Sequence, residues 1–102
     1  MTAPLLPGDM PDCAACPHCG SSYLHHGTVR VFDRSEDQET VYRTTVSGLP
    51  VSVMIEAVPN RGSGNPSNRR DGITIEFDCE ECGKVSLLGI AQIKGLTKIA
   101  WL

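Results

Sequence analysis

Two short runs share one form, Cys16-Pro17-His18-Cys19-Gly20 and Cys79-Glu80-Glu81-Cys82-Gly83. No other feature restricts the fold of this chain as strongly. A two-residue gap lets both thiolates of a pair face one point from a tight turn. The trailing glycine takes a positive φ at low cost, so backbone N–H groups can turn toward sulfur. Two such turns supply four soft ligands in a tetrahedron with metal–sulfur bonds of ~2.3 Å. Closed sulfur coordination fits Zn²⁺, with iron as the main competitor. The spacing thus assigns Cys16, Cys19, Cys79 and Cys82 as ligands of one structural Zn²⁺, with no open position for a substrate.

The chain has five cysteines, so one is left over. Cys13-x-x-Cys16 offers a second register, but the trailing glycine favours Cys16 with Cys19. Cys13 then stands as a free thiol or a substitute ligand. A single C-x-x-C would fit a redox motif equally well; two pairs with matched glycines argue for metal. The competing readings are reduced cysteines without metal, or two disulfides. The residues from Met1 to Pro7 show no basic stretch followed by an apolar one, and no apolar run is long enough to span a bilayer. Thiolate ligands in a chain of this kind suit a reducing compartment, so the expected location is the cytoplasm, without a membrane partner.

Residues 1–12 hold Pro4, Pro7 and Pro11 and read as a flexible tail; residues 13–102 read as a single zinc-ribbon β domain. Strand signals dominate that domain. Val29 and Val31 share a face within about 23–33. Thr40 to Val46 is rich in β-branched residues. Val51, Val53, Ile55 and Ala57 alternate with Ser52 and Glu56. Ile73, Ile75 and Phe77 alternate with Thr74, Glu76 and Asp78, as in a half-buried strand. Val85, Leu87, Ala91 and Ile93 keep the same period, with Gly89 as a bulge or close approach. Lys94-Gly95 reads as a turn before Thr97, Ile99 and Trp101. No segment shows a sustained 3.6-residue period. The expected fold is all-β: a zinc-ribbon-like antiparallel sheet with two C-x-x-C knuckles and a long inserted loop.

That loop, residues 59–72, has no apolar side chain other than proline. Arg61, Arg69 and Arg70 make up a third of the basic residues, and Asn65, Ser67 and Asn68 add neutral hydrogen-bonding groups. Arginine forks pair with phosphate or carboxylate, so Arg61, Arg69, Arg70, Asn65 and Asn68 are candidates for contacting an anion or a partner. The plainer reading is a solvated connector whose arginines pair with Asp71, Glu76 or Asp78. The formal net charge of −3, made more negative by about −2 once four thiolates hold Zn²⁺, disfavours a chain-wide footprint on nucleic acid.

Glu76, Asp78, Glu80 and Glu81 form an acidic rim beside the second knuckle, a docking or a solubilising face. The carboxylates between Asp33 and Glu39 have no basic or histidine partner at recognisable spacing. His18 reads as an exposed residue between ligands, and at most one of His25 and His26 is expected to point inward. Ile99, Trp101 and Leu102 read as a seal on the core, or alternatively as a homodimer interface.

Taken together, Cys16-Pro17-His18-Cys19-Gly20, Tyr23 to Gly27, Asn65 to Gly72, Cys79-x-x-Cys82-Gly83 and Lys94-Gly95-x-Thr97-x-x-x-Trp101 resemble small uncharacterised zinc-ribbon proteins of bacteria and their phages. The resemblance covers nearly all of the chain after the tail. It implies a ribbon fold and an intracellular bacterial setting, and adds no catalytic role. The expected function is that of a non-enzymatic structural or adaptor protein, binding protein or nucleic acid. The alternative is a phosphate- or nucleic-acid-handling enzyme using Arg61, Arg69 and Arg70, with His25 or His26 as partner. No nucleophile–base pair is spaced to support that alternative.

Overall fold

The computed structural model describes residues 12–48 and 50–102, so nearly all of the expected tail lies outside the described residues. Six strands follow one another: β1 (Leu24–Asp33), β2 (Thr40–Ser47), β3 (Ser52–Pro59), β4 (Gly72–Cys79), β5 (Val85–Ile93) and β6 (Leu96–Trp101). They form one sheet in the order β3-β2-β1-β4-β5-β6, with every pairing antiparallel. The fold is all-β, as the alternation predicts, and the described residues hold no helix that could cross a membrane.

The order divides the sheet into two three-stranded meanders. β1, β2 and β3 turn back on one another, as do β4, β5 and β6, and the halves are zipped together by β1 and β4. Short loops close each meander. Lys94 and Gly95 both have positive φ, 50° and 79°, and join the paired ends Ile93 and Leu96. Such a two-residue turn matches the right-handed twist of the strands. The connection from β3 to β4 cannot be short, because β3 is an edge strand and β4 lies beyond β2 and β1. Residues 60–71 make that crossing over one face.

Alternation along a strand divides its side chains between two faces, and the register carries each set across the sheet. One face bears Val41 and Phe32, both fully buried. Arg43 lies beside Phe32 in the register and donates from Nη1 to the Ser63 carbonyl at 2.9 Å. Gly64 faces the Phe32 ring edge. The crossing loop is therefore the lid of a small core, and its polar composition has a structural use. A segment that packs on a sheet without joining it must satisfy its backbone groups elsewhere. The Ser67 hydroxyl donates to the Gln92 carbonyl at 2.7 Å and accepts from the Arg69 and Arg70 N–H groups. Asn65 donates to Asn60 Oδ1 and to the Arg70 carbonyl, and accepts from the Ser67 N–H. Gly72 is required where the loop returns: a Cβ there would overlap Asn65 and come within 2.6 Å of Pro66 Cδ. At the far edge of the same face Leu102 lies over Gly89, 2.8 Å from where a Cβ would stand. Gly89 thus marks a close approach; the β4–β5 register runs through it without a bulge.

The other face differs. Val53, Val46, Val29, Ile75, Leu88 and Trp101 lie side by side in register and cross all six strands. A parallel row runs Ile55, Thr44, Val31, Ile73, Ile90 and Ile99. Among the described residues, strands touch only their sheet neighbours, so no second layer lies over these rows. The shortest extent of the molecule is 19 Å, in keeping with a single sheet roofed on one side.

Candidate metal centre

The two knuckles are built alike. Cys16 donates its N–H to Ser21 O and accepts at its own carbonyl from Gly20 N–H, at 2.7 and 2.8 Å. Cys79 repeats this with Lys84 O and Gly83 N–H at 3.1 and 3.0 Å. Each turn closes through a glycine of positive φ, 80° at Gly20 and 71° at Gly83, a conformation costly for any residue bearing a Cβ. The first knuckle leads into β1 and the second joins β4 to β5. Leu24 pairs with Cys79 at the end of the ladder between β1 and β4, and Glu80 N–H donates to Tyr23 O at 2.9 Å. The sheet itself thus sets the two turns side by side.

As a result, the Sγ atoms of Cys16, Cys19, Cys79 and Cys82 all lie within 4.8 Å of one another. Cys16 and Cys82 are 3.8 Å apart, and Cys19 and Cys79 are 3.5 Å apart. A sulfur tetrahedron around an ion with ~2.3 Å bonds has edges of about 3.8 Å, whereas a disulfide needs about 2.05 Å. The spacing fits four thiolates around one metal ion, and all four thiols are free. The first cysteine of each knuckle, Cys16 and Cys79, is buried. The His18 N–H points at Cys16 Sγ at 3.4 Å, a contact that stabilises a thiolate. This is the zinc-ribbon-like arrangement that the paired motifs predict. Cys13 is half-buried and stands outside the cluster.

Two of the thiols, Cys19 and Cys79, are shifted in opposite directions. The backbone N–H of Cys82, then that of Glu81 and the neighbouring thiols, draw the Cys79 thiol down to about 6. The Ser21 N–H pulls Cys19 the same way, but hydrogen bonding to Cys79 together with burial outweighs it and pushes Cys19 up to about 12. Of this pair, Cys79 therefore gives up its proton more readily than Cys19. A bound cation would displace the Cys19 proton, because thiolate is the ligating form.

The candidate loop residues separate. Arg69 lies 3.1 Å from Asp37 and 3.8 Å from Glu36. Its acidic partners therefore come from the turn between β1 and β2, which had no partner in the sequence, and not from Asp71, Glu76 or Asp78. Asp71 instead accepts the Arg34 N–H at 2.8 Å. Asn65 is used inside the loop. Arg61 and Asn68 line a cleft of about 470 Å³ with Arg34, Glu39, Pro59 and Asn60, and Arg70 is exposed. His25 and His26 are both exposed. His25 meets Glu80 of the acidic rim at 3.0 Å. An extra residue between His26 and Val29 shifts the register there, and Gly27, inside that interval, is the sequence signal for the bulge. Among the described residues the four-cysteine group is the one cluster of ligand-bearing side chains.

No family model matches this chain, and no curated protein or solved structure is significantly similar to it.

Proposed function

We propose that this chain is a zinc-stabilised binding module, a small adaptor that works through its surfaces. The observation that carries this reading is the closed set of four sulfurs within 4.8 Å. Cys16, Cys19, Cys79 and Cys82 would hold Zn²⁺ with every position taken by protein. The ion then acts as a crosslink and offers no site for a substrate or an activated water. Thiolate ligands favour a reducing compartment, such as the bacterial cytoplasm, as the setting of this module.

A protein partner suits the charge better than nucleic acid does. The chain is acidic, Arg69 is already paired, and exposed carboxylates surround the second knuckle. The first test is metal content: reduced, purified protein should carry one equivalent of zinc. The Cys16→Ser variant should lose it and Cys13→Ser should keep it. Retention of a full equivalent by Cys16→Ser would reject the ligand set.

One observation favours a second reading. Arg34, Arg61 and Asn68 line the same cleft, with Glu39 as its one carboxylate, and two guanidinium groups beside an amide suit a phosphate. Binding of a single-stranded oligonucleotide should then weaken with salt and drop on Arg61→Ala. No binding by the intact protein at low salt removes this reading.

A further inference from the structure

The strongest unexplained feature is the open face of the sheet. Its two rows cross all six strands with one polar side chain, Thr44, and no charge. Water does not favour such a surface. Val53 is 63% exposed, Ile55 70% and Val46 41%, with Tyr42 beside them at 57%. The uncovered part of this face is on the order of 700 Å², above the largest patch of most monomers and close to the ~800 Å² per partner of a standard interface.

We propose that this face is the interface of a homodimer, in which two copies pack sheet on sheet as a β-sandwich. Three observations select a second copy. The two rows carry no charge, and the one carboxylate in register with them, Asp33 beside Tyr42, lies past their end at the edge of the face; a two-fold axis through the rows sets apolar side chains on apolar side chains. Its area matches what a stable dimer buries on each side. The obstacles all lie elsewhere: the 60–71 lid and Leu102 occupy the opposite face, and the cysteine cluster sits at the end of the β1–β4 ladder. Two such sheets approach to about 10 Å with side chains interleaved.

The exposure of Val53 and Ile55 supplies a test that spares the fold. A charge at either position stays in water in a monomer and is buried in the dimer. Sedimentation or light scattering of the zinc-loaded full chain at about 50 µM should give twice the 11.0 kDa chain mass. The V53K/I55K variant should give the single mass, with its dimer dissociation constant raised at least 100-fold and with unchanged zinc content and circular dichroism. M54K, equally exposed but on the other face, should remain dimeric. Removing residues 1–11 should leave the dimer intact. A monomeric wild type at that concentration overturns the proposal, whether the face meets residues 1–11 or a different protein. So does a dimer that survives V53K/I55K, which would point to pairing at the β3 or β6 edges. Zinc content is read separately, so failure of the dimer does not touch the metal assignment.

Discussion

Removing the metal should loosen the fold by an amount that the topology sets. An ion held by the four thiolates would tie Cys16–Cys19 to Cys79–Cys82, closing a loop of 59 intervening residues, Gly20 to Asp78. By the chain-entropy argument used for disulfides, a crosslink over a loop of about 60 residues stabilises by about 4 kcal/mol. That is a large share of the roughly 5–15 kcal/mol that holds a domain of this size. In a chain of about 100 residues each kcal/mol moves Tm by about 4–8 °C, so metal loss should lower Tm by at least about 15 °C. The measurement is a circular dichroism melt at 218 nm under reducing conditions, before and after exchange into a strong chelator, with zinc followed by mass spectrometry. Cys13→Ser serves as the control, because Cys13 stands outside the cluster, and it should melt with the wild type. Complete metal loss with Tm unchanged to within a few degrees would show that the strands need no crosslink, and the reasoning would fail.

Three further outcomes follow from particular contacts. Phe32 is fully buried beneath Gly64, so Phe32→Ala should cost about 3–5 kcal/mol in urea unfolding, and a loss below 1 kcal/mol would mean that the 60–71 lid does not seal it. Gly72→Ala forces a Cβ into Asn65 and Pro66 and should cost about 1–3 kcal/mol by overpacking, whereas Arg69→Ala, which removes a solvent-screened pair with Asp37, should cost under about 1 kcal/mol; the reverse ranking would contradict the loop description. Cys79 ionises at about 6 before metal binds. Above that pH its proton does not compete with zinc, and below it one more proton must leave for each ion bound. A plot of log zinc affinity against pH should therefore steepen by one unit as pH falls through about 6, and a competition titration with constant slope from pH 5 to 7 would rule this out.

The strands were legible because alternation and β-branching act over a few residues. The spans at Thr40–Ser47, Gly72–Cys79 and Leu96–Trp101 carry their own signal in Tyr42/Thr44/Val46, Ile73/Ile75/Phe77 and Thr97/Ile99/Trp101. The knuckles were legible for the same reason, since a two-residue gap and a glycine define each turn locally. Properties set by distant residues were not. Arg69 pairs with Asp37, far off in sequence, because the loop crosses β2 and β1 on its way to β4, and spacing along the chain carries no trace of that crossing. The role of Asn65 was hidden likewise: an amide that could hold a phosphate can equally hold Asn60 and Arg70.

The least legible property was which face of the sheet would be covered. Val53, Ile55 and Ala57 announce a buried face by their period, yet it is the opposite side of β3, with Glu56 and Val58, that lies toward the lid. Periodicity reports that two faces differ in polarity; it does not report which one the chain itself covers. Among the described residues, one connection between strands is long enough to cross the sheet, 60–71, and it is polar. It holds itself together through Ser67, Asn65 and Asn60 and lies on the side of Arg43, Thr74 and Glu56, where such a segment finds donors and acceptors. On the side of Val31 and Ile73 it would bury its own polar groups against aliphatic carbon, at several kcal/mol for each unmet bond. A polar cover on the mixed face leaves the apolar face to be met by something equally apolar, and a second sheet of the same sequence meets that condition without any new chemistry.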